Sequence, residues 1–183
     1  MSSSLRVESA VPSDASGVAL VHVRAWQQAY RGLLPQQVLD DLNVEARSDG
    51  WAQYLSSPPS DHLGALVVRS DVAAGSLPAG SVLGWVTFGN GRTPGKPDGE
   101  GEIKAIYVHP DVQGLGCGRA LMESALASLR TANYQRAYLW VLDGNDPAIA
   151  FYEHMGFTLT GATKEANSAG VTVVERELAV VLS

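Results

Sequence analysis

Apolar and polar residues alternate along Leu5-Arg6-Val7-Glu8, the period of a half-buried strand. Pro12-Ser13-Asp14 offers helix-capping chemistry. Val18, Val21, Ala25 and Ala29 then recur at helical spacing, which predicts a helix to about Tyr30. Pro35 suits the first turn of a short helix with Val38 and Leu42 inward. Val44, Trp51 and Leu55 mark another amphipathic helix, stopped before Pro58-Pro59. Apolar runs predict strands at Ala65–Arg69 and Val82–Phe88, joined by a Gly/Ala/Ser-rich hairpin loop from Ser70 to Ser81. Gly89 to Gly99 is dense in glycine and proline and reads as a mobile loop.

The second half continues with a strand over 102–108, a helix over about 118–131 and a strand over 136–142. Leu121, Ala125, Leu129 and Ala132 fall on one face of that helix. A shorter helix opens at Asp146-Pro147 and ends at Gly156. Thr158–Thr163 and Val171–Leu182 read as closing strands, with a turn over Ala166–Gly170. This order predicts an α/β fold: one mixed sheet of about seven mostly antiparallel strands, with helices on both faces. The unit 102–142 needs a crossover, so its two strands form a central parallel pair. No repeat or linker interrupts the chain, so residues 1–183 read as a single domain.

One segment adds chemistry to this pattern. The strand ending at Val108 runs through His109-Pro110 into a glycine-dense loop, Gln113-Gly114-Leu115-Gly116-Cys117-Gly118, and then into a helix. Glycine lets backbone approach a ligand closely. The first amides of a helix lack partners within it and favour anions. A nucleotide-binding P-loop would require Gly-Lys-Ser/Thr, but Gly118 is followed by Arg119 and Ala120. A dinucleotide fingerprint would require Gly-x-Gly-x-x-Gly or Ala, and both registers fail, at Arg119 and at Leu121. Gln/Arg-x-x-Gly-x-Gly/Ala fits without a gap at Gln113, Gly116 and Gly118.

That last pattern resembles the acyl-CoA signature of the GCN5-related N-acetyltransferase (GNAT) superfamily. The segment Asn145-Asp-Pro-Ala-Ile-Ala-Phe-Tyr-Glu-His-Met-Gly-Phe157 resembles its second hallmark, at the expected distance downstream. Trp26 to Pro35 resembles the first helical region of one bacterial subgroup. The resemblance implies acetyl-CoA as acyl donor, an amine as acceptor, and direct attack without an acyl-enzyme. It also implies that the two parallel strands splay apart to admit the pantetheine arm. Gln113, Gly114, Leu115, Gly116, Cys117, Gly118 and Arg119 are then expected around the pyrophosphate. Ile106, Tyr107 and Val108 are expected to supply backbone contacts to the acyl group and pantetheine, with Asn145 positioning the latter. Dimers are frequent in the superfamily, so a homodimer is compatible with the resemblance.

Acetyl transfer to an amine poses two proton problems. An alkylammonium has a pKa near 10.4 and must lose a proton before it attacks. The leaving thiolate is stabilised by an acid weaker than a thiol, and tyrosine, near 10, qualifies. Tyr152 stands where the superfamily often has that acid. Glu100 and Glu102, two apart and on one side of a strand start, are the candidate bases, Glu102 preferred because Gly99 and Gly101 flank Glu100. Free amine binding without a dedicated base stays open. Trp26 and Tyr30, one helical turn apart, are candidates to line the acceptor pocket. His22 reads as a packed histidine. Cys117 sits in the phosphate loop rather than at the acyl end, which argues against a covalent role. A non-catalytic acyl-CoA sensor on the same fold is the alternative function.

Composition narrows the partners. The 183 residues are 45% hydrophobic and 17% charged, a globular balance. A net charge of −6 lacks the basic footprint of a nucleic-acid binder and suits a cationic acceptor. No residue cluster has metal-ligand spacing. A single Cys117 fits a reducing compartment. With no signal-peptide core and no run near ~20 apolar residues, the expected setting is cytoplasmic and off the membrane.

Overall fold

The computed structural model describes residues 5–182. Seven strands form one sheet in the order β1-β2-β3-β4-β5-β7-β6. They are β1 Leu5–Ser9, β2 His62–Ser70, β3 Val82–Asn90, β4 Glu100–Val108, β5 Arg136–Leu142, β6 Thr158–Ser168 and β7 Val171–Val181. The helices are α1 Ala15–Ala29, α2 Gln36–Asp40, α3 Val44–Ser56, α4 Cys117–Thr131 and α5 Asp146–His154. All strand pairs are antiparallel except β4 with β5.

Each face of the sheet has its own apolar layer. Leu121, Met122, Ala125 and Leu129 of α4 and Ile149 of α5 bury against Val86, Ile103, Leu139 and Leu178. Ala132, expected on that face of α4, instead ends the helix and is exposed. Val18 and Val21 of α1 and Trp51 of α3 cover Val67, Trp85, Ala105 and Tyr107 on the opposite face. Leu34 and Leu39 pack with Leu142 and Val173, seating α2 over the far ends of β5 and β7.

Strand β6 runs five residues beyond the expected Thr163. It passes an irregularity between Leu159 and Thr163, where Gly161 has φ +88°. Its hairpin to β7 closes through Ala169 (φ +50°) and Gly170 (φ +84°), the two left-handed residues of a tight turn whose twist matches the strands.

Two irregularities in β4 shape the site. Thr87 pairs with Ala105 and Phe88 with Ile103, so Lys104 is a bulge residue without a partner on β3. Its ammonium donates to Asp61 O (2.7 Å) and pairs with the Asp61 carboxylate. The extra residue switches faces: Ile103 and Ile106 both point toward α4, whereas Glu102, Ala105 and Tyr107 point toward α1. The second irregularity is a split. The β4–β5 ladder holds only Glu100, Gly101 and Glu102 against Arg136, Ala137 and Tyr138. Beyond these, β4 runs on to Val108 and β5 to Leu142 without pairing to each other, each still bonded to its other neighbour.

Under α1 the packing is aromatic. The His22 ring stacks on Tyr107 (centroids 5.7 Å, 11° between planes) and lies 5.3 Å from Trp26 and 5.5 Å from Trp85. Its Nδ1 accepts from Trp51 Nε1 at 3.2 Å. Burial, and then the charge of Arg47, push its pKa from 6.5 down to about 4. The unfolded chain therefore binds a proton that the folded chain refuses between those values, so stability falls as pH drops from about 6.5 to about 4. A group with this shift and partial solvent access is worth on the order of 1–3 kcal/mol. His22→Asn, which keeps an acceptor for Trp51, is expected to flatten the fall in melting temperature between pH 7.5 and 4.5. Identical pH profiles for both proteins would place the effect elsewhere. His62 and His109 are shifted in the same direction by burial and set the residual slope.

Candidate active site

The loop into α4 is built from glycines that only glycine chemistry suits. Gly114 has φ +79° with open space where a Cβ would sit. Gly116, the residue before α4, has φ +87°. At Gly118 the demand is proximity: a Cβ would lie 3.3 Å from Phe151 Cζ and 3.6 Å from Val108 Cγ2. The helix starts at Cys117, one residue before the expected position, and its first closing bond runs from Ala120 N to Gly116 O (3.0 Å). The amides ahead of Ala120 thus stand at a helix N-terminus beside the open end of the β4–β5 split, the geometry that holds an anion.

Other loop side chains are engaged within the protein. Gln113 Nε2 donates to Gln28 Oε1 at 2.8 Å, tying the loop to α1. Arg119 Nε donates to Glu123 Oε1 at 2.7 Å on the exposed surface of α4, an i,i+4 pair. Cys117 is 1% exposed, and burial raises its thiol pKa, so it is a packed side chain with little thiolate character. Asn145 is buried, and its Oδ1 accepts from Ala148 N (3.4 Å) as the cap of α5. That leaves its amide group for any further contact.

Tyr152 stands on α5, with its ring 5.4 Å from Phe151 and 6.1 Å from Phe157. Burial, and then the neighbouring Tyr30 phenol, raise its pKa well above 10, so its proton is retained throughout the physiological range. Tyr30 reaches across from the end of α1, and its hydroxyl meets the Tyr107 hydroxyl at 2.8 Å. Trp26 packs edge-on against Tyr30 at 5.0 Å. Tyr30 and Tyr107 are thus joined through their hydroxyls, and Tyr152 adds a third phenol whose field reaches both, a phenolic group drawn from distant parts of the sequence. The sequence identified each residue separately. The bond between Tyr30 and Tyr107 spans 77 residues and has no local signature.

Glu100 and Glu102 are not part of this group. Both lie where β4 and β5 are still paired. Glu102 is 3% exposed and accepts from Arg92 N (2.8 Å), Arg92 Nε (3.2 Å), Arg92 Nη2 (2.8 Å) and Tyr138 OH (3.4 Å). Three of these contacts fall on Oε2 and one on Oε1, which commits both carboxylate oxygens to neighbouring side chains. Glu100 accepts from Arg136 Nη1 at 2.8 Å and lies 3.4 Å from Lys96 Nζ. Neither residue lies in a loose stretch, contrary to the expectation for Glu100. The segment 91–99 is itself tied down. Thr93 Oγ1 accepts from Trp140 Nε1 (2.9 Å), and Lys96 lies 4.4 Å over the Tyr138 ring while pairing with Glu177. Arg92, Thr93 and Lys96 escaped the sequence reading because glycine and proline around them resemble a free loop.

Among the described residues no group of three or more His, Cys, Asp or Glu side chains is placed to hold a metal ion. Among them, too, no helix is long and apolar enough to cross a membrane.

Comparison with known proteins identifies the family. The acetyltransferase (GNAT) family model matches residues 23–157. YuaI, an uncharacterized N-acetyltransferase of Bacillus subtilis, is 31% identical over 80% of this chain and 76% of its own length. A mycothiol acetyltransferase of Geodermatophilus obscurus is 38% identical over 44% of this chain, a match that spans only 29% of that relative. Among solved structures, the PaiA N-acetyltransferase of Thermoplasma acidophilum in complex with coenzyme A superposes with TM-score 0.65. It shares 16% identity, over 95% of this chain and 98% of that one. The matched family model covers both the glycine loop and the Asn145–Phe157 segment, and the chain belongs to the GNAT family of acetyltransferases.

Proposed function

We propose that the protein transfers an acetyl group from acetyl-CoA to a primary amine by direct attack in a ternary complex. The observation that carries this reading is the β4–β5 split opening onto the N-terminus of α4. β4 keeps its pairing with β3 through Val108, and the backbone groups of the Ile106–Val108 stretch that face β5 across the split are left to meet an extended amide-bearing arm. The amides around Gly114–Arg119 then take the pyrophosphate, and the Asn145 amide group steadies the arm. A backbone N–H at this part of β4 polarises the thioester carbonyl as it becomes an oxyanion.

In this reading Tyr152 protonates the departing thiolate, a role supported by a phenol that stays protonated beside the split. Trp26 and Tyr30 wall the acceptor side, with Tyr107. Glu102 and Glu100 were the candidate bases. Their ion pairs with Arg92 and Arg136 favour another role, holding the 91–99 segment and the strand start in place. The attacking amine then comes from its neutral fraction, about 1 part in 2,500 at pH 7 for a pKa near 10.4. The lone Cys117, buried and reduced, suits a cytoplasmic setting.

A panel of primary amines incubated with acetyl-CoA, with release of free thiol followed, tests this reading. Thiol release that depends on an amine and yields the N-acetyl product is the expected result. Acetyl-CoA binding without release for any amine would instead favour the acyl-CoA sensor.

A further inference from the structure

We propose that the face of Trp140 and the carboxylate of Glu175 form a cation subsite beside the split, so that the preferred acceptor carries a second positive charge besides the amine that is acetylated. The inference rests on the acyl-transfer reading and adds the class of acceptor to it.

A cation already occupies the arrangement. Lys164 Nζ lies 4.3 Å above the centroid of the Trp140 ring and 3.4 Å from Glu175 Oε2. An alkylammonium between an aromatic face and a carboxylate is the geometry that recognises alkylammonium ligands. Lys164 and Glu175 are directly opposite on β6 and β7, and β6 is the edge of the sheet. Their side chains are 38% and 25% exposed. Such a solvated pair holds its lysine weakly, so a ligand cation can replace it.

The other carboxylates on this face are committed. Glu102 is enclosed by the Arg92 fork, Glu100 accepts from Arg136 at 2.8 Å, and Glu177, 3% exposed, pairs closely with Lys96. Glu175 alone of the four has its one cation at the margin of contact. The aromatic wall is fixed, because Trp140 Nε1 donates to Thr93 Oγ1.

Position links this arrangement to the chemistry. Tyr138 is the last β5 residue paired with β4, and Trp140 is the next residue on the same face, at the margin of the split. Glu175, opposite Leu142, adds its negative field to Tyr30, whose hydroxyl touches Tyr107. An acceptor with its reactive amine near Tyr107 thus meets Trp140 and Glu175 with its far end.

The test compares 1,4-diaminobutane with 1-aminobutane in the wild type, Lys164→Ala and Glu175→Gln. Binding to the full chain is read by titration calorimetry, and acetylation by thiol release. The diamine is expected to bind roughly tenfold more tightly than the monoamine. Lys164→Ala should widen that ratio by removing the internal competitor, and Glu175→Gln should abolish it, with monoamine binding unchanged in both. Equal affinity for the two amines in all three proteins would overturn the subsite. Two outcomes separate the proposals. Diamine-selective binding without acetylation keeps the subsite and sinks the transfer reading. Acetylation of both amines at equal kcat/KM does the reverse.

Discussion

Gly116→Asp is expected to lower acetyl-CoA affinity about 100- to 1,000-fold relative to Gly116→Ala. The comparison with alanine is essential, because Gly116 has φ +87° and any side chain there is strained. That strain is about 1–2 kcal/mol and common to both variants. Space does not separate them, since the nearest atom to a Cβ at this position is Leu5 Cδ1 at 3.8 Å. Charge does. A carboxylate about 4 Å from one phosphate charge costs about 4 kcal/mol at an effective dielectric of 20, and 1.4 kcal/mol corresponds to a factor of ten. Titration calorimetry on both variants, with thermal melts to confirm that each is folded, measures the difference. Equal dissociation constants for folded Asp and Ala variants would remove the pyrophosphate from this loop.

Tyr152→Phe is expected to lower turnover about 100- to 1,000-fold while leaving acetyl-CoA affinity and melting temperature near the wild type. General acid catalysis contributes about 100- to 10,000-fold, and the lower part applies because a thiolate leaves tolerably well unprotonated. The hydroxyl acts only as charge develops on sulfur, so its loss belongs to the chemical step rather than to binding. Phenylalanine keeps the ring against Phe151 and Phe157. The acidity of Tyr152 is set by burial and by Tyr30 rather than by a hydrogen bond, so no buried partner is left unmet. Measuring turnover and the acetyl-CoA dissociation constant side by side, once an acceptor is known, decides the matter. Wild-type turnover would make Tyr152 a packing residue.

What the sequence by itself determined was local in origin. The φ-positive glycines at 114 and 116, the Asn145 cap with Pro147 in the first turn, and the periodicities of α1, α4 and β3–β5 all depend on neighbours a few residues away. Short-range sterics and hydrophobic period encode such features directly, so the loop proposed to hold the pyrophosphate was legible in the sequence. The splay of β4 from β5 came from the family resemblance, because the alternation of 102–108 looks the same for a paired and an unpaired strand. Only the tertiary structure decided which partners the charged residues meet. Glu102 and Glu100 read as candidate bases at a strand start, and in the fold they pair with Arg92 and Arg136. An ion pair depends on which side chains the folded chain brings within reach, and one-dimensional pattern does not carry that. The bulge at Lys104 likewise sets which face Tyr107 occupies, and through it the meeting with Tyr30. The Trp140–Lys164–Glu175 cluster joins three strands, and its members have no sequence spacing in common. Backbone preference shaped the loop proposed for the donor, and long-range packing and charge shaped the side proposed for the acceptor.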